Sequence, residues 1–286
     1  MRKTILVTGA HGQVGSELKQ LSIAFPFYKF SFVSRGELNI SDASAVNDLF
    51  QSSSFSYCIN CAAYTAVDKA EIETDAAFAV NAEAPAILAA ACREFNTGFI
   101  HISTDYVFDG TASEPYTETA VTNPMSVYGR SKLEGEKKAV AANPETIIIR
   151  TAWVYSEFGK NFVKTMLRLM NEKQEIGVVN DQYGSPTYAA DIAEAIMTIV
   201  NSGEWHPGIY HFSNQGIISW FDFANAIRQI INSNCKVNQI ATSQYPTPAK
   251  RPAYSVLNSG KISDVYAIKL KPWEPRLKVC LGRLIQ

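Results

Sequence analysis

Short apolar runs alternate with segments of helical periodicity along the first half of the chain. Five runs are bounded by Gly, Asn, Ser or Asp and predict buried strands at residues 4–8, 30–34, 57–60, 99–103 and 146–151. The helical pattern falls between them, at residues 16–24, 43–52, 75–95 and about 126–142, with Pro85 predicted to kink the third helix or mark a helix start. Strands that alternate with helices form βαβ units, which predicts an α/β fold with a doubly wound parallel sheet.

The alternation loosens after residue 151. Helices are predicted at 162–172, 188–201 and 220–231, with strands near 176–179 and 209–212. Three prolines fall within residues 245–252, so this segment is predicted to be a loop.

Composition excludes some classes of protein. The 286 residues are 47% hydrophobic and 19% charged, which excludes wholesale disorder. Lys and Arg number 26 against 27 Asp and Glu, so the chain lacks the basic excess with which a general nucleic-acid binder neutralises phosphates. Every class of small-molecule enzyme remains open.

Targeting signals and cysteine usage favour a cytoplasmic protein. The apolar stretch after Arg2 and Lys3 is too short for a signal peptide, and we expect no membrane-spanning segment. The five cysteines are odd in number and scattered. Cys58 and Cys61 have metal-like spacing, but they lie at a buried strand without a second pair, which favours core packing.

A glycine loop joins the first predicted strand to the first helix. Gly9, Gly12 and Gly15 form the pattern Gly-x-x-Gly-x-x-Gly. Glycines let the backbone turn tightly and approach a pyrophosphate, while the helix N-terminus offers amides and partial positive charge. The context predicts a Rossmann-like dinucleotide site, and the three-residue first interval is the variant found in short-chain dehydrogenase/reductases.

The choice between NADPH and NADH depends on the residues after the second strand. Arg35 lies about 20 positions beyond the loop and can pair with a 2′-phosphate, which favours NADPH. Glu37 lies close enough to weaken this argument, so NADH stays possible.

A tyrosine and a lysine four residues apart supply candidate acid chemistry. On a helix, Tyr128 and Lys132 share one face, and a nearby ammonium lowers the pKa of a phenol. Ser103 and Thr104 end a predicted strand, where ligands of open α/β sheets bind, and either hydroxyl can hydrogen-bond a substrate carbonyl. His101 lies inside that strand and is interpreted as structural.

Together these motifs resemble the extended short-chain dehydrogenase/reductases that act on nucleotide sugars. The resemblance covers about residues 4–260 and includes CAAYTAVDKAE at 61–71, STDYVFDG at 103–110, RTAWVY at 150–155, NDQYGSPT at 180–187 and YPTPAKRP at 245–252. It implies NAD(P)H-dependent reduction of the C4 ketone of dTDP-4-dehydro-L-rhamnose. It also implies a Rossmann domain of residues 1–152 plus about 174–214, and a smaller α/β substrate-binding lobe of about 153–173 and 215–286.

The resemblance also assigns roles to individual residues. Cofactor contacts are implied for Gly9, Gly12, Gln13, Val14, Gly15, Arg35, Asn39, Ile40, Ala63, Tyr64 and Thr65. Tyr128 is implied as proton donor, Lys132 as the holder of the nicotinamide ribose and Thr104 as the group that orients the C4 carbonyl. Candidates for the dTDP-sugar are Asp105, Tyr106, Trp153, Asn161 and Arg251. Position 39 often carries Asp in these reductases and is Asn here, which leaves the cofactor preference open.

Other interpretations remain. Some relatives dimerise with Mg²⁺, but the sequence shows no ligand cluster, so no metal is predicted; a monomer or a homodimer is expected. The chain could act on another nucleotide sugar as reductase or epimerase. It could also be a non-catalytic binding subunit, since the regulatory subunit of methionine adenosyltransferase resembles these reductases; the presence of Thr104, Tyr128 and Lys132 favours catalysis.

Overall fold

The structure, a computed structural model, describes residues 2–285. Its strands are β1 Lys3–Thr8, β2 Tyr28–Val33, β3 Tyr57–Asn60, β4 Gly98–Thr104, β5 Ile147–Thr151, β6 Val154–Tyr155, β7 Glu175–Val179, β8 Tyr183–Gly184, β9 Thr187–Tyr188, β10 Gly208–His211, β11 Ile218–Ser219 and β12 Lys236–Ile240. Its α-helices are α1 Gln13–Leu21, α2 Ala43–Ser52, α3 Val67–Ala70, α4 Thr74–Phe78, α5 Ala84–Glu94, α6 Val127–Ala142, α7 Phe162–Glu172, α8 Ala189–Ser202, α9 Trp220–Ile230, α10 Gly260–Tyr266 and α11 Trp273–Ile285.

Six strands form one parallel sheet in the order β10-β5-β4-β3-β1-β2. The doubly wound, Rossmann-like sheet predicted from the alternation of strands and helices is confirmed. Strands β2 and β3 lie on opposite sides of β1, so the winding reverses there. The loops leaving the carboxyl ends of β1 and β3 diverge at this point and open a crevice, which is the usual ligand site of such sheets.

The central strands are buried on both faces because their sequences are almost entirely apolar. On one face Ile5 and Ile100 belong to a core that includes side chains of α1, α8 and α10. On the other face Leu6 and Phe99 belong to a core with α2 and α5. Each fully buried side chain of this size contributes about 1.5–3 kcal/mol, so the sheet holds its carboxyl edge rigidly.

The helix predicted at 75–95 is a run of three helical segments. A π-helical turn, Ala79–Glu83, separates α4 from α5, and Pro85 stands in the first turn of α5, where its missing N–H removes no bond. The run Thr74–Glu94 is long and apolar enough to cross a membrane by length and composition alone, a property that core helices share, so it does not contradict the expectation of no membrane-spanning segment. Half of that window is buried in the protein, where α5 covers the sheet.

A second, smaller core is built by elements after β5. Strands β7 and β12 pair in parallel, and Val163, Phe223 and Leu277 bring α7, α9 and α11 into the same core. Strand β12 and helix α11 were not predicted, because β12 is half polar and α11 contains a proline and a glycine. Within residues 174–214, β10 joins the large sheet and β7 pairs with β12, and the division into two domains stays a prediction.

Two glycines of the loop after β1 are required by close backbone contacts. Gly9 has φ +69°, and a Cβ there would lie 2.6 Å from the Ala62 backbone nitrogen. A Cβ on Gly15, in the first turn of α1, would fall onto the Gly9 carbonyl oxygen. The loop therefore folds back on α1 more closely than any side chain permits.

Replacement of Gly15 tests this packing. We expect Gly15→Ala to lower the free energy of unfolding by about 1–3 kcal/mol, because the added methyl must displace backbone. The matched control is Gly282→Ala in α11, where a Cβ meets nothing within 4 Å, and helix propensity predicts a gain of up to about 1 kcal/mol. Chemical unfolding of both variants measures the difference; equal stabilities would contradict the close packing.

Candidate active site

A cleft of about 1260 Å³ opens at the carboxyl edge of the large sheet. It is lined by the loop after β1, the ends of β2, β3, β4 and β5, the start of α6 and the Pro-rich loop around Arg251. The lining includes Gly9, Gly12, Gln13, Val14, Arg35, Asn39, Ile40, Ala63, Tyr64, Thr65, Thr104, Asp105, Tyr106, Tyr128, Lys132, Trp153 and Arg251. The structure thus brings these predicted residues, from distant parts of the chain, into one cavity.

Two predicted site residues lie behind the cleft surface. Gly15 is not among the lining residues and supports the loop from below through its contact with Gly9. The Asn161 amide donates to Gln13 Oε1 at 2.9 Å and to the Ser156 carbonyl at 2.7 Å, and its oxygen caps α7. Asn161 therefore orients Gln13, and a contact of its own with substrate stays a prediction.

The N-terminus of α1 fits a dinucleotide pyrophosphate. Gly12 is the N-cap, and within residues 2–285 no side chain caps this helix. The first-turn amides and the positive end of the helix dipole are therefore available to an anion, and Gly9 and Gly12 leave room for its approach. These features match the requirements of an NAD(P) cofactor.

The segment after β2 carries one basic and one acidic side chain, Arg35 and Glu37. Glu37 Oε2 accepts hydrogen bonds from the Ser34 backbone N–H at 2.8 Å and from the Ser34 hydroxyl at 2.6 Å. These bonds lower the pKa of Glu37, so its carboxylate is charged beside Arg35. Arg35 lines the cleft, whereas Glu37 is not among its lining residues and is held by Ser34, which is.

Helix α6 carries the tyrosine and the lysine to the cleft. Ser126 caps the helix by accepting from the Gly129 N–H at 3.1 Å, and the spacing of Tyr128 and Lys132 places both on one face. A Cβ on Gly129 would collide with the Tyr106 carbonyl oxygen, so glycine lets the helix approach the end of β4. Tyr106 then packs edge-on against Tyr128 with ring centroids 5.5 Å apart.

Tyr128 is a protonated phenol in this environment. Burial raises the pKa of Tyr128 well above its ordinary value, the neighbouring Thr104 hydroxyl opposes the shift and the Asp105 carboxyl adds to it. Thr104 lies beside Tyr128, as the sequence predicted, and its hydroxyl donates to Asp105 Oδ1 at 2.9 Å. The arrangement places a phenol that can donate a proton next to a hydroxyl that can hold an oxygen.

Lys132 is buried against strand β4 of the sheet. Its Nζ donates to the Ile102 carbonyl at 2.7 Å and lies 3.2 Å from His101 Nε2. Burial lowers the pKa of Lys132 to about 8, while the Glu136 carboxylate partly opposes the shift. His101, interpreted as structural from the sequence, is therefore in direct contact with a predicted catalytic residue.

A buried ion pair fixes the next turn of α6. The Arg150 guanidinium on β5 binds the Glu136 carboxylate through Nη2 at 2.6 Å and Nε at 2.9 Å. The Ser103 hydroxyl on β4 donates to the same carboxylate at 2.5 Å. Ser103, which the sequence left as an alternative to Thr104, thus holds the helix and is not directed at Tyr128.

Asp105 is a buried carboxyl with spare acceptor capacity. Its Oδ2 has no well-directed hydrogen-bond partner within residues 2–285. Burial raises the pKa of Asp105 to about 6, although the Ser255 and Thr104 hydroxyls pull it down. Such a group at the base of a cleft is a candidate acceptor for a substrate hydroxyl.

Arg251 is held across the cleft by two partners. Its Nη2 pairs with Asp68 Oδ2 at 2.7 Å, and its Nη1 donates to the Tyr106 hydroxyl at 2.9 Å. Asp68 also accepts from the Ala249 backbone N–H at 3.2 Å, which ties the Pro-rich loop to α3. The sequence analysis gave Asp68 no role; its charge opposite to Arg251 was the available signal, but the 183-residue separation concealed the pairing.

Trp153 forms an aromatic wall together with Trp220. The two indoles stack with ring centroids 3.5 Å apart, and both line the cleft. Trp153 has φ +48°, an uncommon conformation for a bulky residue, and it lies directly over Gly184, where a Cβ would have no room. Trp220 was predicted only as the start of a helix, and no local pattern indicates its stacking partner.

Within residues 2–285, no group of three or more His, Cys, Asp or Glu side chains is arranged to hold a metal ion.

The fold and the cleft define an extended short-chain dehydrogenase/reductase. The comparisons with known proteins agree: the sequence profile of the RmlD substrate binding domain matches residues 1–285. A dTDP-4-dehydrorhamnose reductase of Aggregatibacter actinomycetemcomitans is 42% identical over 284 residues, covering 96% of this chain and 97% of that protein. The chain belongs to the RmlD family.

Solved structures show the same similarity. A dTDP-4-dehydrorhamnose reductase from Clostridium acetobutylicum has a TM-score of 0.95 and 40% identity, covering 99% of this chain and 100% of that one. A dTDP-4-dehydrorhamnose reductase from Bacillus anthracis, solved in complex with NADP, has a TM-score of 0.94 and 36% identity over 99% of this chain and 100% of that one.

Replacement of Asp105 tests its buried charge through stability. The pKa of Asp105 is about 6 in the folded protein and about 3.9 in the unfolded chain. The free energy of unfolding therefore falls as the pH rises from the lower to the higher value, and it stays lower at higher pH. We expect Asp105→Asn to raise the free energy of unfolding by about 1–3 kcal/mol at about pH 8, and to lose this advantage near about pH 4.

Urea unfolding at the two pH values measures this difference. The control is Asp181→Asn, because Asp181 is exposed and hydrogen bonds from Thr242 lower its pKa, so no gain is expected at the higher pH. A destabilised Asp105→Asn variant at about pH 8 would contradict the raised pKa.

Proposed function

We propose that this chain is an NADPH-dependent reductase of the C4 ketone of dTDP-4-dehydro-L-rhamnose, with dTDP-L-rhamnose as the product. The observation that carries the proposal is the meeting of Thr104, Tyr128 and Lys132 at the carboxyl edge of the sheet, beside a dinucleotide cradle. Relatives of matching length that bear this activity in their names support it, and the Bacillus anthracis relative supports NADP as cofactor.

The residues divide the reduction into two tasks. A bound nicotinamide supplies hydride, and this chain supplies the proton and the geometry. On substrate binding the Thr104 hydroxyl turns its single proton from Asp105 Oδ1 to the ketone oxygen and so orients it. The Tyr128 phenol gives its proton to that oxygen as negative charge develops on it. Burial keeps Tyr128 protonated until that step, because it disfavours the phenolate.

The remaining cleft residues suit a nucleotide sugar. Arg251, presented by Asp68 and Tyr106, keeps further N–H groups for a diphosphate. Asp105 accepts from a sugar hydroxyl, and Trp153 supplies an apolar wall for the 6-deoxy carbon. The other predicted cofactor contacts, the two-domain division, a cytoplasmic location and a monomeric or homodimeric state are also part of the proposal.

The function is tested by supplying dTDP-4-dehydro-L-rhamnose and following nicotinamide absorbance with NADPH and NADH in parallel. We expect cofactor oxidation by the wild type, and a fall in kcat of about 10²–10⁴-fold for Tyr128→Phe with little change in cofactor affinity, because only the proton donor is removed. Tyr245→Phe, at an exposed position, is the matched control and is expected to retain full activity.

The outcomes separate the alternatives. Oxidation with a different nucleotide sugar alone would replace the substrate and retain the mechanism. Absence of oxidation with every sugar tried, together with copurification of a stable enzyme partner, would favour the binding subunit. Unchanged turnover in Tyr128→Phe would contradict the assignment of the proton donor.

Cofactor preference tests the two charges after β2. We expect Arg35→Ala to lower the NADPH-to-NADH ratio of kcat/KM by about 10-fold, because one charge-assisted contact to the 2′-phosphate is lost. We expect Glu37→Gln to raise the ratio, since its carboxylate repels the phosphate and occupies the Ser34 donors. The exposed pair of Arg168 with Glu172 provides the control, Arg168→Ala; an unchanged ratio in both test variants would contradict the assignment.

A further inference from the structure

Lys132 stands at the end of a buried chain of hydrogen-bonding side chains. Thr8 donates to Asn60 Oδ1 at 2.7 Å, Asn60 Nδ2 lies 3.0 Å from His101 Nδ1, and His101 Nε2 lies 3.2 Å from Lys132 Nζ. All four residues are buried. The direction of each bond therefore matters, because water cannot substitute for a mismatched partner.

The orientation of Asn60 is fixed by the backbone. The Ala62 N–H lies 3.1 Å from Asn60 Oδ1, and a backbone N–H can only donate, so the atom it meets is the amide oxygen. The amide nitrogen of Asn60 consequently faces His101. Because that nitrogen can only donate, His101 Nδ1 accepts and carries no proton.

The remaining proton of His101 points at Lys132. Burial, assisted by the neighbouring lysine, holds the pKa of His101 well below its ordinary value, so the ring is neutral and its one proton is on Nε2. A lysine ammonium has three donors and no acceptor. Only the neutral amine of Lys132 can accept from Nε2–H while donating to the Ile102 carbonyl.

The surrounding groups give the ammonium no ionic partner. Within residues 2–285, no carboxylate lies within ion-pair distance of Lys132. Glu136 on the same helix, whose charge partly offsets the effect of burial, is bound by Arg150 and Ser103. Facing it from the loop after β3 is Cys61, whose pKa burial raises, so the thiol is neutral. Tyr128 on α6 is also uncharged, for the same reason.

We propose that Asn60 and His101 favour the neutral amine of Lys132 in the cofactor-free protein, so that in mildly alkaline solution cofactor binding is accompanied by uptake of up to one proton from solvent onto Lys132 Nζ. His101 is thus a positioning residue. The hydroxyl acceptors of a bound ribose favour the ammonium, which then releases His101. The proposal rests on the proposed function only in requiring that a nicotinamide dinucleotide bind the cleft.

The histidine tautomer gives a first test that needs no cofactor. In protein with ¹⁵N-labelled histidine, we expect His101 Nδ1 to resonate as an unprotonated ring nitrogen and Nε2 as a protonated one. The signals are assigned by their loss in His101→Gln or, if that variant does not fold, by single replacement of His11, His206 and His211. A proton on Nδ1 would overturn the proposal.

Proton uptake gives the second test. Calorimetric titration of the wild type with NADPH and with NADH at about pH 8.5, in two buffers of different ionisation enthalpy, is expected to show uptake of about 0.5–1 proton with either cofactor. Equal proton uptake with NADPH and NADH excludes protonation of the NADPH 2′-phosphate as the cause of the uptake.

An isosteric variant reverses the direction of the hydrogen bonds that join residue 60, His101 and Lys132. In Asn60→Asp the new carboxylate accepts from His101 Nδ1–H, so Nε2 becomes an acceptor for a Lys132 already charged, and we expect proton uptake to be lost. His206→Asn, at an exposed histidine, should retain proton uptake.

Binding heat without proton uptake in the wild type overturns the proposal. Absence of binding heat with both cofactors would contradict the proposed function instead, and the tautomer would still decide the state of Lys132.

Discussion

The ion pair between Glu136 and Arg150 determines where the reactive groups of this protein lie. It is almost completely withdrawn from solvent and joins α6 to β5, with Ser103 adding a bond from β4. Removal of either charged partner would strand a buried charge at a cost of about 3–5 kcal/mol. The helix therefore has one position relative to the carboxyl edge of the sheet, and Tyr128, two turns earlier, is set beside Thr104.

The same ion pair shapes the electrostatics of the site. Because Glu136 is bound by Arg150, its charge only partly offsets the effect of burial on Lys132, which lies one turn away and contacts a carbonyl and an imidazole. A cation buried without a counter-ion is unfavourable, and the protein relieves this by lowering the affinity of Lys132 for its proton. The ion pair of Glu136 with Arg150 at one turn of α6 thus limits the counter-charge that reaches Lys132 at the previous turn.

The sequence predicted the large sheet and much of the cleft, because both depend on local patterns. Apolar runs, glycine spacing and the positions of strand ends place Gly9, Thr104 and Tyr128 without knowledge of distant contacts. What it could not show depends on pairs far apart in the chain, such as Arg251 with Asp68 and Trp153 with Trp220. Strand β12 was missed because it is half polar and pairs with β7 across some 60 residues.

The two ends of the cleft differ in the charge of the side chains that line them. Arg35 and Arg251 both line the cleft, so a chain of net charge −1 presents guanidinium groups there that suit the phosphates of the proposed ligands. At the inner end burial disfavours the charged forms of Tyr128, His101 and Lys132. The ketone oxygen of the proposed substrate would develop its negative charge beside these groups and close to the Asp105 carboxyl, and the proton that we propose Lys132 takes up with the cofactor would add a cation there. Electrostatic interactions are strong in a buried site, so the rate of reduction depends on whether Lys132 is charged when negative charge develops on the ketone oxygen, as well as on where the two groups lie.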